Sequence, residues 1–248
     1  MIFYCGKTDP GRQRKQNEDT ILTSGDLFLV CDGMGGRKAG EIASRIAVEA
    51  ILREISREPS LDGAELPDGS GQTDSQRLKS AIQVANSEIR TLAAESSEHK
   101  GMGTTVAAVL FEQGKPCVAY ANVGDSRVYL IRAGAITQLS RDDSWVNAVF
   151  GPDEVDSTAR ISLQNVLTKA LGTHDDLDFE IRTHDLVDGD VLLLCSDGLT
   201  SMVEDTGILA IVSAKRDDLE SAAQELIDAA NLAGGRDNIS AVLVRFGE

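Results

Sequence analysis

LFLVCDGMGG, residues 27–36, runs five apolar residues into an aspartate and then places three glycines in four positions. An unbroken apolar run of this length reads as a strand buried on both faces, since a half-exposed strand would alternate. VLLLCSDGL (191–199) repeats the arrangement. An Asp-Gly turn is the plain reading of such a dipeptide, and Asp62-Gly63, Asp68-Gly69 and Asp188-Gly189 lie in polar surroundings that ask for nothing more. Asp32 and Asp197 differ. Each follows a buried-looking strand, with no lysine or arginine in the four residues before it. A desolvated carboxylate is costly unless it is paired or bound to a metal.

Working outward, strand-like runs recur at 2–8, 104–111, 117–124, 127–132 and 239–246, rich in Val, Leu, Ile and aromatics and bounded by turn residues. The short VGDSR (123–127) connection suggests an antiparallel hairpin between two of them. Helical period appears over Ala39–Ile55, with Ile42, Ile46, Ala50 and Ile55 on one face. It appears again between Ser75 and Ala94 (Leu78, Ala81, Ile82, Ala85, Ile89, Leu92) and near the C-terminus (Leu219, Ala222, Ala223, Leu226, Ile227, Ala230). Residues 57–76 read as an exposed loop, and 140–165 as an irregular polar stretch. Strands with two or three helices and no strict alternation predict an α+β fold with mainly antiparallel sheets. Residues 1–248 carry no internal repeat and no dividing linker, so one domain is expected.

Composition narrows the function. A net charge of −16 argues against a broad basic face for nucleic acid and suits divalent cations better. No leader-like N-terminus and no apolar stretch near the ~20 residues of a membrane span is present, which predicts a cytoplasmic protein without a membrane partner. Cys5, Cys31, Cys117 and Cys195 form no C-x-x-C pair and read as reduced thiols, poor candidates for zinc.

Further carboxylates join the two at strand ends: Asp237 in GGRDNIS, Glu18-Asp19 in RKQNEDT and Asp125 in VGDSR. Gathered by the fold, they would make an all-oxygen site suited to Mg²⁺ or Mn²⁺. Gly33, Gly35 and Gly36 would let the backbone approach an ion, with the Gly33 carbonyl itself available as a ligand. Spacing alone leaves metal site and plain turns both open; the number of matching positions favours the metal.

TDPGRQRKQNED (8–19), VCDGMGG (30–36), GMGTTV (101–106), NVGDSRVYL (122–130), VLTKALG (166–172), LLLCSDGL (192–199) and GGRDNISAVLV (234–244) stand in one order along nearly the whole chain. Together they resemble the metal-dependent protein serine/threonine phosphatases (the PPM or protein phosphatase 2C family), in particular its compact bacterial members. The resemblance implies two antiparallel sheets packed as a sandwich with helices on both sides (α-β-β-α). It also implies two Mn²⁺ or Mg²⁺ ions, with room for a third, and hydrolysis of phosphoserine and phosphothreonine in proteins by a metal-bridging hydroxide. Position by position, Asp32 would bridge the ions, the Gly33 carbonyl would bind one, and Asp197 and Asp237 would hold the other. Asp125 with Asp197 match the third ion's ligands, and Glu18 and Asp19 would mainly orient metal-bound water.

Arg14 matches the phosphate-binding arginine, a role its guanidinium fork suits, against a plain solvated role beside Arg12 and Lys15. The implied partners are phosphorylated proteins and a cognate serine/threonine kinase, met by a monomer. Three departures stand out. Met34 replaces a histidine common in eukaryotic relatives, Asp142-Asp143-Ser144 stands for Asp-His-Ser, and Thr168-Lys169-Ala170 for Thr-Arg-Ala. The last two flank 140–165, which matches a variable flap, so they bear on substrate preference. The three histidines are expected at the surface. The competing readings are a non-catalytic regulatory or binding module of the same fold and a phosphatase dedicated to one regulatory partner.

Overall fold

A computed structural model describes residues 1–35, 39–57, 72–145 and 166–247. Gly36, most of the 57–76 loop and the interior of the 140–165 segment lie outside the described residues. One sheet has the order β1-β11-β10-β7-β8, built from β1 (Ile2–Asp9), β11 (Ile239–Phe246), β10 (Val191–Cys195), β7 (Arg127–Arg132) and β8 (Ala135–Gln138). The other has the order β2-β3-β5-β6-β9, from β2 (Asp19–Ser24), β3 (Leu27–Met34), β5 (Val106–Phe111), β6 (Cys117–Val123) and β9 (Arg182–Asp185). A two-residue strand, β4 (Gly103–Thr104), pairs with the far end of β3. Neighbouring strands run antiparallel in both sheets.

The continuous apolar runs are explained by layering. Phe28, Val30, Val109, Val118, Leu192, Leu194 and Val242 fill the space between the sheets. The alternate residues of the same strands face outward under helices. Leu29, Cys31, Val106 and Ala108 lie beneath α1 (Ala39–Ser56) and α2 (Asp74–Glu95). Tyr129, Leu193, Cys195 and Leu243 lie beneath α4 (Asp205–Ala214) and α5 (Leu219–Leu232). A one-turn helix, α3 (Asp197–Thr200), follows β10. The central strands therefore have no wet face, and each buried Leu, Ile or Val adds about 1.5–3 kcal/mol. This is the expected α-β-β-α sandwich.

α5 buries the six residues its period predicts. α2 buries five of its predicted stripe, with Leu92 packed at the margin, and starts on a Thr73–Gln76 capping box. α1 is rotated from expectation: Ala43, Ala47, Ala50 and Ile51 are buried, while Ile42, Ile46 and Ile55 are only partly covered. Small residues let this helix lie close on β3, and the larger isoleucines fill its flanks. β2, β8, β9 and α4 were not anticipated; β8 and β9 have four residues each, too few for a period to show. VGDSR is not a hairpin. β6 and β7 belong to different sheets, so Gly124-Asp125-Ser126 carries the chain across the sandwich. Nor does Asp32 end its strand, since Gly33 and Met34 continue it against Thr104 and Gly103. All four cysteines are free, with Cys31 and Cys195 buried.

Candidate metal centre

Antiparallel pairing puts the start of β2, β5, β7 and β11 and the end of β3, β6 and β10 at one end of the sandwich. Asp19 sits directly opposite Asp32 on the β2–β3 ladder. Asp197 and Asp125 follow β10 and β6, and Asp237 precedes β11. Residues far apart in sequence thus share one field.

Asp32 is fixed through its backbone. Its N–H donates to Thr105 Oγ1 at 3.0 Å, and its carbonyl accepts from the Thr105 N–H and the Thr104 hydroxyl, both at 2.8 Å. Thr105 Oγ1 in turn meets Ser126 Oγ at 2.6 Å. The Asp32 carboxyl is close enough to Asp19, its cross-strand partner, and to Asp197 for each to feel its charge. Burial, reinforced by the negative charge of Asp19, Asp197, Asp125 and Asp237, holds it well above the usual carboxylate range.

Asp19 is buried. Its Oδ2 accepts from Ser196 Oγ at 2.8 Å and Ser240 Oγ at 2.7 Å, yet burial still pushes it up to about 6. Burial and then Asp237 raise Asp197 to about 6, and burial and then Asp197 raise Asp125 to about 7. Asp19 Oδ1 and Asp197 Oδ1 are buried without a hydrogen-bond donor. Arg14 Nη2 donates to Asp237 Oδ2 at 2.7 Å from a half-exposed position, and its field extends to Glu18 and Asp32. Glu18 is half-buried, with its carboxyl raised by desolvation and its side chain over Gly40. Gly33 and Gly40 press backbone on backbone, and a Cβ on Gly33 would run into the Gly40 carbonyl.

All eight predicted positions therefore converge on this end. Among the described residues, no three His, Cys, Asp or Glu side chains close on one point as a ready-made ligand group. Asp237 is turned to Arg14, and Asp19 to its serines. The site nonetheless fits divalent cations: clustered carboxylates repel one another, two buried oxygens lack a donor, and the donor set is entirely oxygen. His174 is exposed, and His99 and His184 are half-buried, on positions away from these motifs.

Several supporting residues escaped the sequence reading. Asn238 is the main one. Its Oδ1 accepts from the Glu18 N–H at 2.8 Å, and its Nδ2 donates to the Gln16 and Pro10 carbonyls at 2.8 and 3.0 Å. It staples the segment that carries Arg14, Glu18 and Asp19. Thr104, Thr105, Ser196 and Ser240 were visible as polar residues inside apolar runs, where a buried hydroxyl needs a partner.

Residues 12–243 match the family model described as Protein phosphatase 2C. The chain is similar to the serine/threonine phosphatase stp of Listeria monocytogenes, 36% identical over 245 residues, covering 96% of this chain and 93% of that one. It is 32% identical over 248 residues to the serine/threonine protein phosphatase PstP of Mycobacterium tuberculosis, covering 98% of this chain and 45% of that protein. Among solved structures, the catalytic domain of PstP in complex with two manganese ions superposes with a TM-score of 0.85 at 30% identity, covering 100% of this chain and 99% of that one.

Proposed function

The chain belongs to the protein phosphatase 2C family, and from that premise we propose how its residues divide the hydrolysis of phosphoserine and phosphothreonine in proteins. It is a metal-dependent protein phosphatase, in preference to a non-catalytic module of the same fold. Bound Mn²⁺ or Mg²⁺ would supply Lewis acidity and a water nucleophile ionised near neutral pH. Asp32, beside Asp19 and Asp197, would be shared by the two ions. The Gly33 carbonyl would help hold one, and Asp197 and Asp237 the other, while Asp125 with Asp197 would hold a third. Asp19, pinned by two serines, and Glu18 orient water around these ligands rather than coordinate first.

Arg14 takes the substrate phosphate. One guanidinium N–H is committed to Asp237, which leaves others of its five to face outward from the rim. It also supplies positive charge where a strongly acidic protein would repel a phosphoester. The observation that carries this reading is the Asp32 carboxyl set between two acids whose buried outer oxygens have no donor.

The reading takes 1–248 as one catalytic domain with a flap at about 140–165. It works as a cytoplasmic monomer on proteins phosphorylated by a cognate serine/threonine kinase. Phosphate release from a phosphothreonine peptide, with Mn²⁺ and with chelator, tests it. Asp197→Ala and Asp237→Ala should each abolish turnover while circular dichroism stays native. Near-normal turnover in both variants, or full activity in chelator, would sink the assignment.

A further inference from the structure

The segment that enters the flap reaches back to the Asp125 loop. Gly124 follows β6 with φ +99°, and a Cβ there would stand 2.6 Å from Thr105 Cγ2, so only glycine fits. Both of its polar backbone groups bond to Asp143, and the carbonyl also accepts from Asn122 Nδ2 at 3.3 Å. The Asp143 N–H donates to the Gly124 carbonyl at 2.8 Å, and the Gly124 N–H donates to Asp143 Oδ2 at 3.2 Å.

Asp142, next door, is anchored separately. Arg127 grips it with a guanidinium fork at 2.8–3.1 Å, and Gln138 adds a bond at 2.8 Å. Arg127 also donates to Tyr129 Oη, which donates to Asp205 on α4. The entering stem is thus fastened to β7 through Asp142 and to β6 through Asn122, whose Nδ2 donates to the Arg141 carbonyl at 2.8 Å, and Asp143 clasps Gly124 beside it.

The exit stem meets the same residue. The Thr168 N–H donates to the Asp143 carbonyl at 2.8 Å, and Lys169 Nζ lies 3.8 Å from Asp143 Oδ1 while donating to the Asp178 carbonyl at 2.7 Å. Burial raises the Asp143 carboxyl, and the Gly124 N–H and Lys169 draw it back. Asp143 and Lys169, one on each stem, therefore stand together as acid and base.

We propose that Asp143 is a positioning residue that holds the Asp125 carboxylate toward the metal centre through Gly124, with Lys169 offsetting the acid placed there. This rests on the reading of Asp125 as a metal-site carboxylate.

Calorimetric titration of the full chain with Mn²⁺ tests it. Asp125→Ala should abolish the weakest binding step. Asp143→Ala should weaken that same step about 10–100-fold, the usual cost of losing a group that orients a ligand, and leave the tighter steps unchanged. Asp143→Asn keeps an oxygen for the Gly124 N–H and gives up only the partly exposed ion pair, so it should recover to within about fivefold of the parent. The Asp125→Ala/Asp143→Ala double variant should match Asp125→Ala alone. Should Asp143→Ala fail to fold, Asp143→Ser, whose hydroxyl falls short of the Gly124 N–H, carries the same expectation.

An Mn²⁺ isotherm unchanged by Asp125→Ala would overturn the reading of Asp125 itself. A step lost in Asp125→Ala but intact in Asp143→Ala would overturn the role of Asp143 alone. Losses that add in the double variant would do the same.

Discussion

Chelating divalent cations should leave a protein that loses stability as the pH rises from 5 to 8. Burial holds Asp19 up at about 6, against 3.8 for a free aspartate. The sign follows from proton linkage. The folded state binds this proton more tightly than the unfolded chain, so its contribution is complete below the unfolded value and is lost as pH climbs through the folded one. Between pH 5 and pH 8 part of that shift is forfeited, on the order of 1 kcal/mol. For a chain of this size that is a few °C in Tm. Asp125 and Asp197 shift the same way, but each keeps an exposed edge, so solvent screening reduces their share.

Saturating Mn²⁺ should reverse the trend, because metal and proton compete for the same oxygens. A hundredfold excess over Kd adds about 2.7 kcal/mol. Asp32→Asn, which removes the central charge and keeps the shape, should raise the metal-free Tm at pH 8 and abolish the gain from Mn²⁺. Calorimetric scans in chelator and in Mn²⁺ across this range provide the measurement. A metal-free Tm that is flat or rising from pH 5 to pH 8 refutes the argument that these acids repel one another at neutral pH.

Arg14→Ala should lower kcat/KM for a phosphothreonine peptide roughly 10–100-fold, the worth of a charge-assisted hydrogen bond of ~1.5–3 kcal/mol; steady-state kinetics at saturating Mn²⁺ check it. Gly33→Ala should destabilise the fold by about 1–3 kcal/mol, since the new methyl meets the Gly40 carbonyl, a backbone atom with no rotamer to yield; urea melts would show it. Asn238→Ala removes three side-chain bonds to the 10–18 segment. It should increase hydrogen exchange there and weaken activity, with the remote α2 amides unchanged.

The layering was legible in the sequence because it needs only composition. LFLVC and VLLLC can be buried on both faces only if helices cover what a partner sheet does not, and helical stripes such as Leu219–Ala230 were there to do so. Sheet membership was not legible. VGDSR has the length and residues of a hairpin, and only Gly124 at positive φ, held by Asp143, turns the chain toward the opposite sheet. That choice is made by contacts across 19 residues of sequence, outside any local window. The α1 face was misjudged for a related reason: size marked the isoleucines, whereas close approach to β3 selected alanines.

The acids of the site could be read from their odd placement after apolar runs, but the means of keeping them together could not. Asp19 and Asp32 are cross-strand neighbours, an arrangement that repulsion disfavours. It persists because Thr104 and Thr105 grip the Asp32 backbone, Ser196 and Ser240 hold one Asp19 oxygen, and Asn238 fixes the approaching chain. None of these donors is a cation, so the negative charge is positioned without being neutralised. Among the described residues, the arginines paired with acids at this end stand at its rim, Arg14 on Asp237 and Arg127 on Asp142. The fold thus spends stability to hold a negative field that its rim arginines only partly offset, and the donor that the buried Asp19 and Asp197 oxygens lack is the opening for a divalent ion.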